Sequence, residues 1–262
     1  MGPKPRQPLT HFLCIPLVTA SSRPHLARTV AAFREDITSP NSFAVPAGAV
    51  RPVGTLHLTL GVMSLADEAK LAHAREVLGR LRLRDMLEEV RQKQRERVEG
   101  ALGKGKGKGK EVGGGEGGGG ESHPGVVKMA LRGLHSMQKP AQATVLYTAP
   151  SDAEGLLQPF CEAVKEVFRQ EGLVAEDGRA LLLHATILNT IYVKGRRNNS
   201  RKRGHHGKLT IDAEPILERY DDYIWAEDVG LEKVAICKMG ARPIEGGEEG
   251  DEEYEVVAEV LA

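Results

Sequence analysis

LLLHATILNT (residues 181–190) is an apolar run broken by two polar side chains, His184 and Thr186, standing two apart. In an extended strand residues i and i+2 share a face, so imidazole and hydroxyl emerge together while their neighbours plug the core behind. TLHLTLGVM (55–63) repeats the device, with His57 and Thr59 set among Leu56, Leu58, Leu60 and Val62. In a chain with nine histidines, on the order of half a chance match to His-x-Thr/Ser-apolar is expected. Two matches at equivalent points of a repeated pattern therefore point to one shared site.

The pattern around them is duplicated. Residues 10–17 read as a strand and 24–36 as a helix with Leu26, Val30 and Phe33 on one side, ahead of the His57 strand. Residues 143–148 read as a strand and 153–171 as a helix, ahead of the His184 strand. This order predicts two related lobes within one α+β unit spanning residues 10–262. Between them, Asp67 opens a long helical pattern whose end, beyond Val90, is almost wholly charged and reads as a solvated extension. Residues 100–125, rich in Gly and Lys, have nearly no apolar side chains and read as a disordered insertion; their Gly-Lys repeats lack the strand, Ser/Thr and helix that a phosphate-cradling loop needs. Further strands are expected at 126–137, 229–238 and 254–261, and a short helix near 213–220.

Composition bounds the function less than pattern does. With 262 residues, 40% of them apolar, the chain can bury a sizeable core. Lysine plus arginine equals aspartate plus glutamate at 36 each, so net charge selects no partner. Cys14, Cys161 and Cys237 are odd in number and lie in apolar stretches, which suits reduced, buried thiols rather than a disulfide framework or a zinc site. These features predict an intracellular protein, nuclear or cytoplasmic. No stretch reads as a signal core or a membrane span, and no membrane partner is expected.

If the lobes pack about a pseudo-twofold axis, two imidazoles and two hydroxyls converge on a volume fitting a tetrahedral anion. Phosphodiester cleavage takes a proton from the attacking oxygen and gives one to the leaving oxygen, and imidazole can hold either role near neutrality. The hydroxyls would grip nonbridging oxygens, where charge accumulates. Neither unit brings carboxylates or thiolates at ligand spacing, so no metal and no cofactor is expected. Which histidine is acid and which base stays open at this level.

HLTL (57–60) and HATI (184–187) resemble the paired motifs of the two-histidine (2H) phosphoesterase superfamily. HFLCIPL near the start, HLTLGVM, GLHSM (133–137), HATILNT and DVGLEKVAICKMG near the end resemble its A-kinase-anchor-protein nuclear-localisation-type branch. That domain is also found in the first subunit of the activating signal cointegrator complex. The resemblance covers about 10–262, apart from the Gly-Lys insertion and the basic loop 194–208. It implies a bilobal 2'-5' RNA ligase-like fold, with two pseudo-symmetric antiparallel sheet lobes and outer helices around a central cleft. It implies nucleoside monophosphate binding, metal-free chemistry on 2',5'-linked or 2',3'-cyclic RNA phosphates, and His57, Thr59, His184 and Thr186 as the catalytic set. No RNA-binding module precedes the first strand and no amphipathic helix follows the last, so kinase anchoring is not expected. The rival expectation is a non-catalytic nucleotide- or RNA-binding subunit of a nuclear transcription or repair coactivator complex.

KGRRNNSRKRGHHGK (194–208) holds seven lysines and arginines and no acid. It suits a phosphate-attracting rim, with Lys194, Arg196 and Arg197 as substrate contacts, a nuclear localisation signal, or a solvated loop. Tyr220, Tyr223 and Trp225 suit core packing or a base-stacking surface. The acidic 245–255 reads as a solvated hairpin turn.

Overall fold

The computed structural model describes residues 7–103, 127–175, 178–193, 208–246 and 250–262. Residues 104–125 of the Gly-Lys insertion and nearly all of the basic loop, including Lys194, Arg196 and Arg197, lie outside these residues, whereas 100–103, expected to begin the disordered insertion, continue the preceding helix. The first repeat is β1 (His11–Pro16), α1 (Arg23–Thr38) and β2 (His57–Met63), followed by α2 (Glu68–Arg80) and α3 (Leu83–Gly103). β3 (Lys128–Ser136) precedes the second repeat, which is β4 (Val145–Ser151), α4 (Leu157–Gln170) and β5 (Ala185–Asn189). Then come α5 (Glu214–Arg219), β6 (Ile224–Gly230), β7 (Lys233–Lys238), the short pair β8 (Arg242–Pro243) and β9 (Glu252–Glu253), and β10 (Val256–Leu261). Among the described residues no helix is long and apolar enough to cross a membrane.

Two four-stranded antiparallel sheets result, ordered β10-β7-β1-β2 and β6-β3-β4-β5. Each His-x-Thr strand is thus the outer strand of its sheet, beside the first strand of its own repeat. Neither outer edge is left bare, and the cover is reciprocal. The chain entering β5 lies on β2, where the Ala175 amide donates to the Val62 carbonyl at 3.0 Å and Val174 bridges to Met63. The chain entering β2 lies on β5, where the Arg51 amide donates to the Ile187 carbonyl at 2.8 Å and Val50 bridges to Leu188. Each lobe caps the other's exposed ladder, which satisfies edge groups and fixes the two histidine strands side by side. Gly61 makes this approach possible, because a Cβ there would stand 2.8 Å from both γ-methyls of Val174.

Three expectations are corrected. The long helix opened by Asp67 is two helices: Asp67 does cap α2, accepting from the Ala69 amide at 2.8 Å, but the chain turns extended at Leu81. Leu78, Leu81, Leu83 and Leu87 are all buried, so apolar spacing runs through the break and conceals it. The run 229–238 is not one strand, because β6 and β7 belong to different sheets and the chain crosses between lobes at Leu231 and Glu232. Leu231 is fully buried at the crossing, which keeps the run apolar. His184 stands one residue before β5 rather than inside it, and 181–184 are not strand.

Helices dock across the lobes. α1, from the first repeat, packs on β6 of the second sheet, and α4, from the second repeat, packs on β2 of the first. Leu26, Val30, Phe33 and Ile37 form the buried face of α1. Trp225 on β6 is fully buried against Phe33 and Tyr223, its indole N–H donates to the Gly133 carbonyl at 2.8 Å, and its own carbonyl accepts from Thr29. Tyr220 is buried beside it and bonds Asp36, so this aromatic group packs the core. All three cysteines are buried and free, and Cys14 and Cys237 on adjacent β1 and β7 bring their sulfurs to 3.7 Å.

Candidate functional site

The two imidazoles are anchored by one local device used twice. His57 Nδ1 lies 2.7 Å from the Thr55 carbonyl oxygen, and His184 Nδ1 lies 2.9 Å from that of Leu182, in both cases two residues upstream. A carbonyl oxygen only accepts, so Nδ1 of each ring carries the hydrogen and Nε2 is left for chemistry. In the ligand-free protein Nε2 of His57 faces the Thr59 hydroxyl at 3.1 Å. With Nδ1 donating elsewhere, that hydroxyl donates to the Nε2 lone pair.

The rings differ in their surroundings. His57 is half-buried between Phe12, whose ring centre is 4.7 Å away, and the edge-on ring of Tyr254 at 5.3 Å. Loss of hydration there lowers its pKa to about 4, against the opposing pull of the Thr55 carbonyl; the charges of His184 and Arg51 add to the fall. His57 is therefore neutral at pH 7. His184 leans edge-on against Tyr147 of β4 at 5.4 Å, and His135 of β3 lies 5.5 Å beyond that ring.

Thr59 and His184 line one open cavity of about 290 Å³, together with the backbone around Gly61, the apolar Val174, Leu181 and Met137, and the cations Lys165 and Arg179. Thr186, half-buried, pairs in register with Tyr147, next to the His184 ring. Of the four predicted residues, Thr59 and His184 line this cavity, His57 adjoins it through its bond to Thr59, and Thr186 lies beside Tyr147 outside the lining. A larger cavity of about 520 Å³ lies along α1, but its charged groups are mutually engaged: Arg23 pairs with Asp251, which also accepts from the Gly54 amide, and Arg34 donates to the Ala47 and Val50 carbonyls.

Four residues around this site escaped the motif reading. Phe12 and Tyr147 come from the strands beside the histidine strands. Tyr254 sits in an acidic run that reads as solvent-facing. Arg51, six residues before His57, is a lone cation in RPVGT. Its guanidinium lies over the Tyr192 ring, 3.7 Å from the centre, and engages the Tyr254 hydroxyl. Only the alternation of β1 and β4 could have offered Phe12 and Tyr147 from sequence.

An antiparallel two-lobe α+β fold with a mirrored His-x-Thr seam defines a class, and comparison with known proteins places the chain within it. Residues 9–102 and 121–261 match the family model described as the AKAP7 2'5' RNA ligase-like domain, and the chain belongs to that family. It is similar to an uncharacterized Schizosaccharomyces pombe protein, C15D4.13c, with 32% identity over 123 residues, 47% of this chain and 52% of that one. It is also similar to mouse activating signal cointegrator 1 complex subunit 1, with 25% identity over 83% of this chain and 51% of that one. The chain thus spans about half the length of the curated relatives it matches. Among solved structures, Escherichia coli LigT in complex with 3'-AMP aligns over 97% of this chain and 98% of its own, with a TM-score of 0.48 and 12% identity.

Proposed function

We propose that this protein is a metal-independent phosphodiesterase acting on RNA ends or short oligonucleotides bearing 2',3'-cyclic or 2',5'-linked phosphates. One observation carries the reading: both imidazoles are tethered through Nδ1 to a carbonyl two residues back, leaving two Nε2 atoms for proton transfer at the seam where Thr59 and His184 share a cavity.

His57, neutral at pH 7, is the base: its Nε2 takes the proton of the attacking oxygen as that oxygen bonds phosphorus. His184, protonated at Nε2, gives its proton to the leaving oxygen as the old P–O bond breaks. The Thr59 hydroxyl exchanges its resting bond to His57 for one to a nonbridging oxygen, and the Thr186 hydroxyl donates to a second nonbridging oxygen from the other lobe. The apolar wall of Val174, Leu181 and Met137 suits a nucleobase or ribose, and Lys165 and Arg179 suit flanking phosphates. Supporting the reading from outside, the family carries an RNA ligase-like name.

The second reading, a nucleotide- or RNA-binding subunit of a nuclear coactivator complex, is favoured by the likeness to a cointegrator complex subunit. Assay of 2',3'-cyclic-phosphate RNA and 2',5'-oligoadenylate separates the two. We expect cleavage by the wild type, reduced about 10²- to 10⁴-fold in His57→Ala and in His184→Ala. Nucleotide binding without turnover in the wild type would select the subunit reading.

A further inference from the structure

We propose that Arg51 is the phosphate-binding cation of this cleft, supplying the countercharge for the phosphate on which the two His-x-Thr units close. The inference rests on the nucleotide-cleft reading and adds a residue outside both motifs.

Arg51 is only 5% exposed, yet among the described residues no carboxylate pairs with it, and its Nη2 is buried without any hydrogen-bond partner. A guanidinium stays ionised, and a buried charge lacking a counter-ion is among the least favourable arrangements in a folded protein. Its contacts supply dipoles rather than charge: the face of Tyr192, and the phenol of Tyr254, which burial and Tyr192 push up to about 12 and so keep protonated. No described residue supplies the anion that would balance it.

Position says which anion. The backbone of Arg51 is bonded to Ile187, next to Thr186, and its charge is felt by His57, so it stands between the two motif strands. Tyr254, which it engages, lies edge-on to the His57 ring at 5.3 Å. A planar guanidinium with free N–H groups suits two oxygens of one phosphate. The Tyr192 ring fixes the plane of that fork before the ligand arrives.

A purely structural arginine and a ligand-binding one respond oppositely to removal. Losing a structural arginine weakens the ligand-free fold, whereas losing an unpaired buried charge leaves it as stable or more stable. The test uses full-length Arg51→Met and Arg51→Lys, with adenosine 5'-monophosphate as the probe, titrated by calorimetry, and ligand-free melting. We expect Arg51→Met to bind the nucleotide on the order of 10- to 100-fold more weakly, as for a lost charge-assisted hydrogen bond, with an unchanged or raised melting temperature. Arg51→Lys should fall between Met and wild type. Wild-type affinity in Arg51→Met, or a lowered ligand-free melting temperature in that variant, overturns the proposal while leaving the cleft reading standing. No nucleotide binding by the wild type would remove the cleft reading and this proposal together.

Discussion

His57 gives up hydration to sit between Phe12 and Tyr254, and that cost is visible as pH dependence. Its folded pKa is about 4 against an ordinary 6.5, so between those values the unfolded chain binds more protons than the folded one. The stability associated with the neutral ring is complete above pH 6.5 and drains away as pH falls toward 4. A shift of that size corresponds to up to about 3 kcal/mol. Urea denaturation at pH 7 and pH 4.5 should show wild type losing on the order of 2 kcal/mol more than His57→Gln, which has no such proton to take up. Equal losses would mean that the ring is already hydrated. The paired His-x-Thr spacing was legible in the sequence because i and i+2 spacing along extended chain is a local rule, although His184 itself stands one residue ahead of β5. Arg51 and Tyr254 were not: one reaches the site through a bond from the entry segment of β2 to β5, and the other lies in an acidic stretch whose neighbours are solvated.

The reciprocal edge cover is the feature that brings two strands from different sheets into one site. Gly61 is the residue through which it can be probed, since no positive φ is involved there and the constraint is contact alone. Gly61→Ala sets a methyl 2.8 Å from the Val174 γ-methyls, forcing a shift that costs about 1–3 kcal/mol. Val174→Ala removes those methyls and leaves the new Cβ 3.4 Å from its own. The double variant should therefore recover most of the loss, a positive coupling of about 1 kcal/mol or more that chemical denaturation can read. Additive effects would show that the 172–175 segment does not sit on β2 in solution. Element type was largely readable because strand and helix periods differ, and the duplicated order of strand, helix and histidine strand was visible before the topology. Its breaks were hidden for one physical reason: at Leu81 and at Leu231 a buried leucine occupies the turn, so apolar spacing continues while backbone direction changes. Gly79 and Gly230, just before each break, were the local signals available.

At the scale of the molecule, the two sheets are tied by crossed helices, by the reciprocal edges and by the passage from β6 to β7. α1 grows from one sheet and docks on the other, and α4 returns the exchange. Neither lobe keeps its core cover if the other opens, so the protein should unfold as one unit although its pattern is duplicated. The single tryptophan allows a direct check. Trp225 is buried in the second sheet against α1, so its fluorescence reports the contact between lobes, whereas far-ultraviolet dichroism reports both lobes. The two signals should melt at one temperature. Leu13→Ala, a fully buried substitution on β1 of the other sheet, should cost about 2–5 kcal/mol and move both signals down together by roughly 5–15 °C. A fluorescence transition that stays in place while dichroism shifts would mean that the lobes unfold separately. The histidine strands would then be held together by something weaker than a shared core, and the alignment of the two His-x-Thr units would lose its mechanical basis.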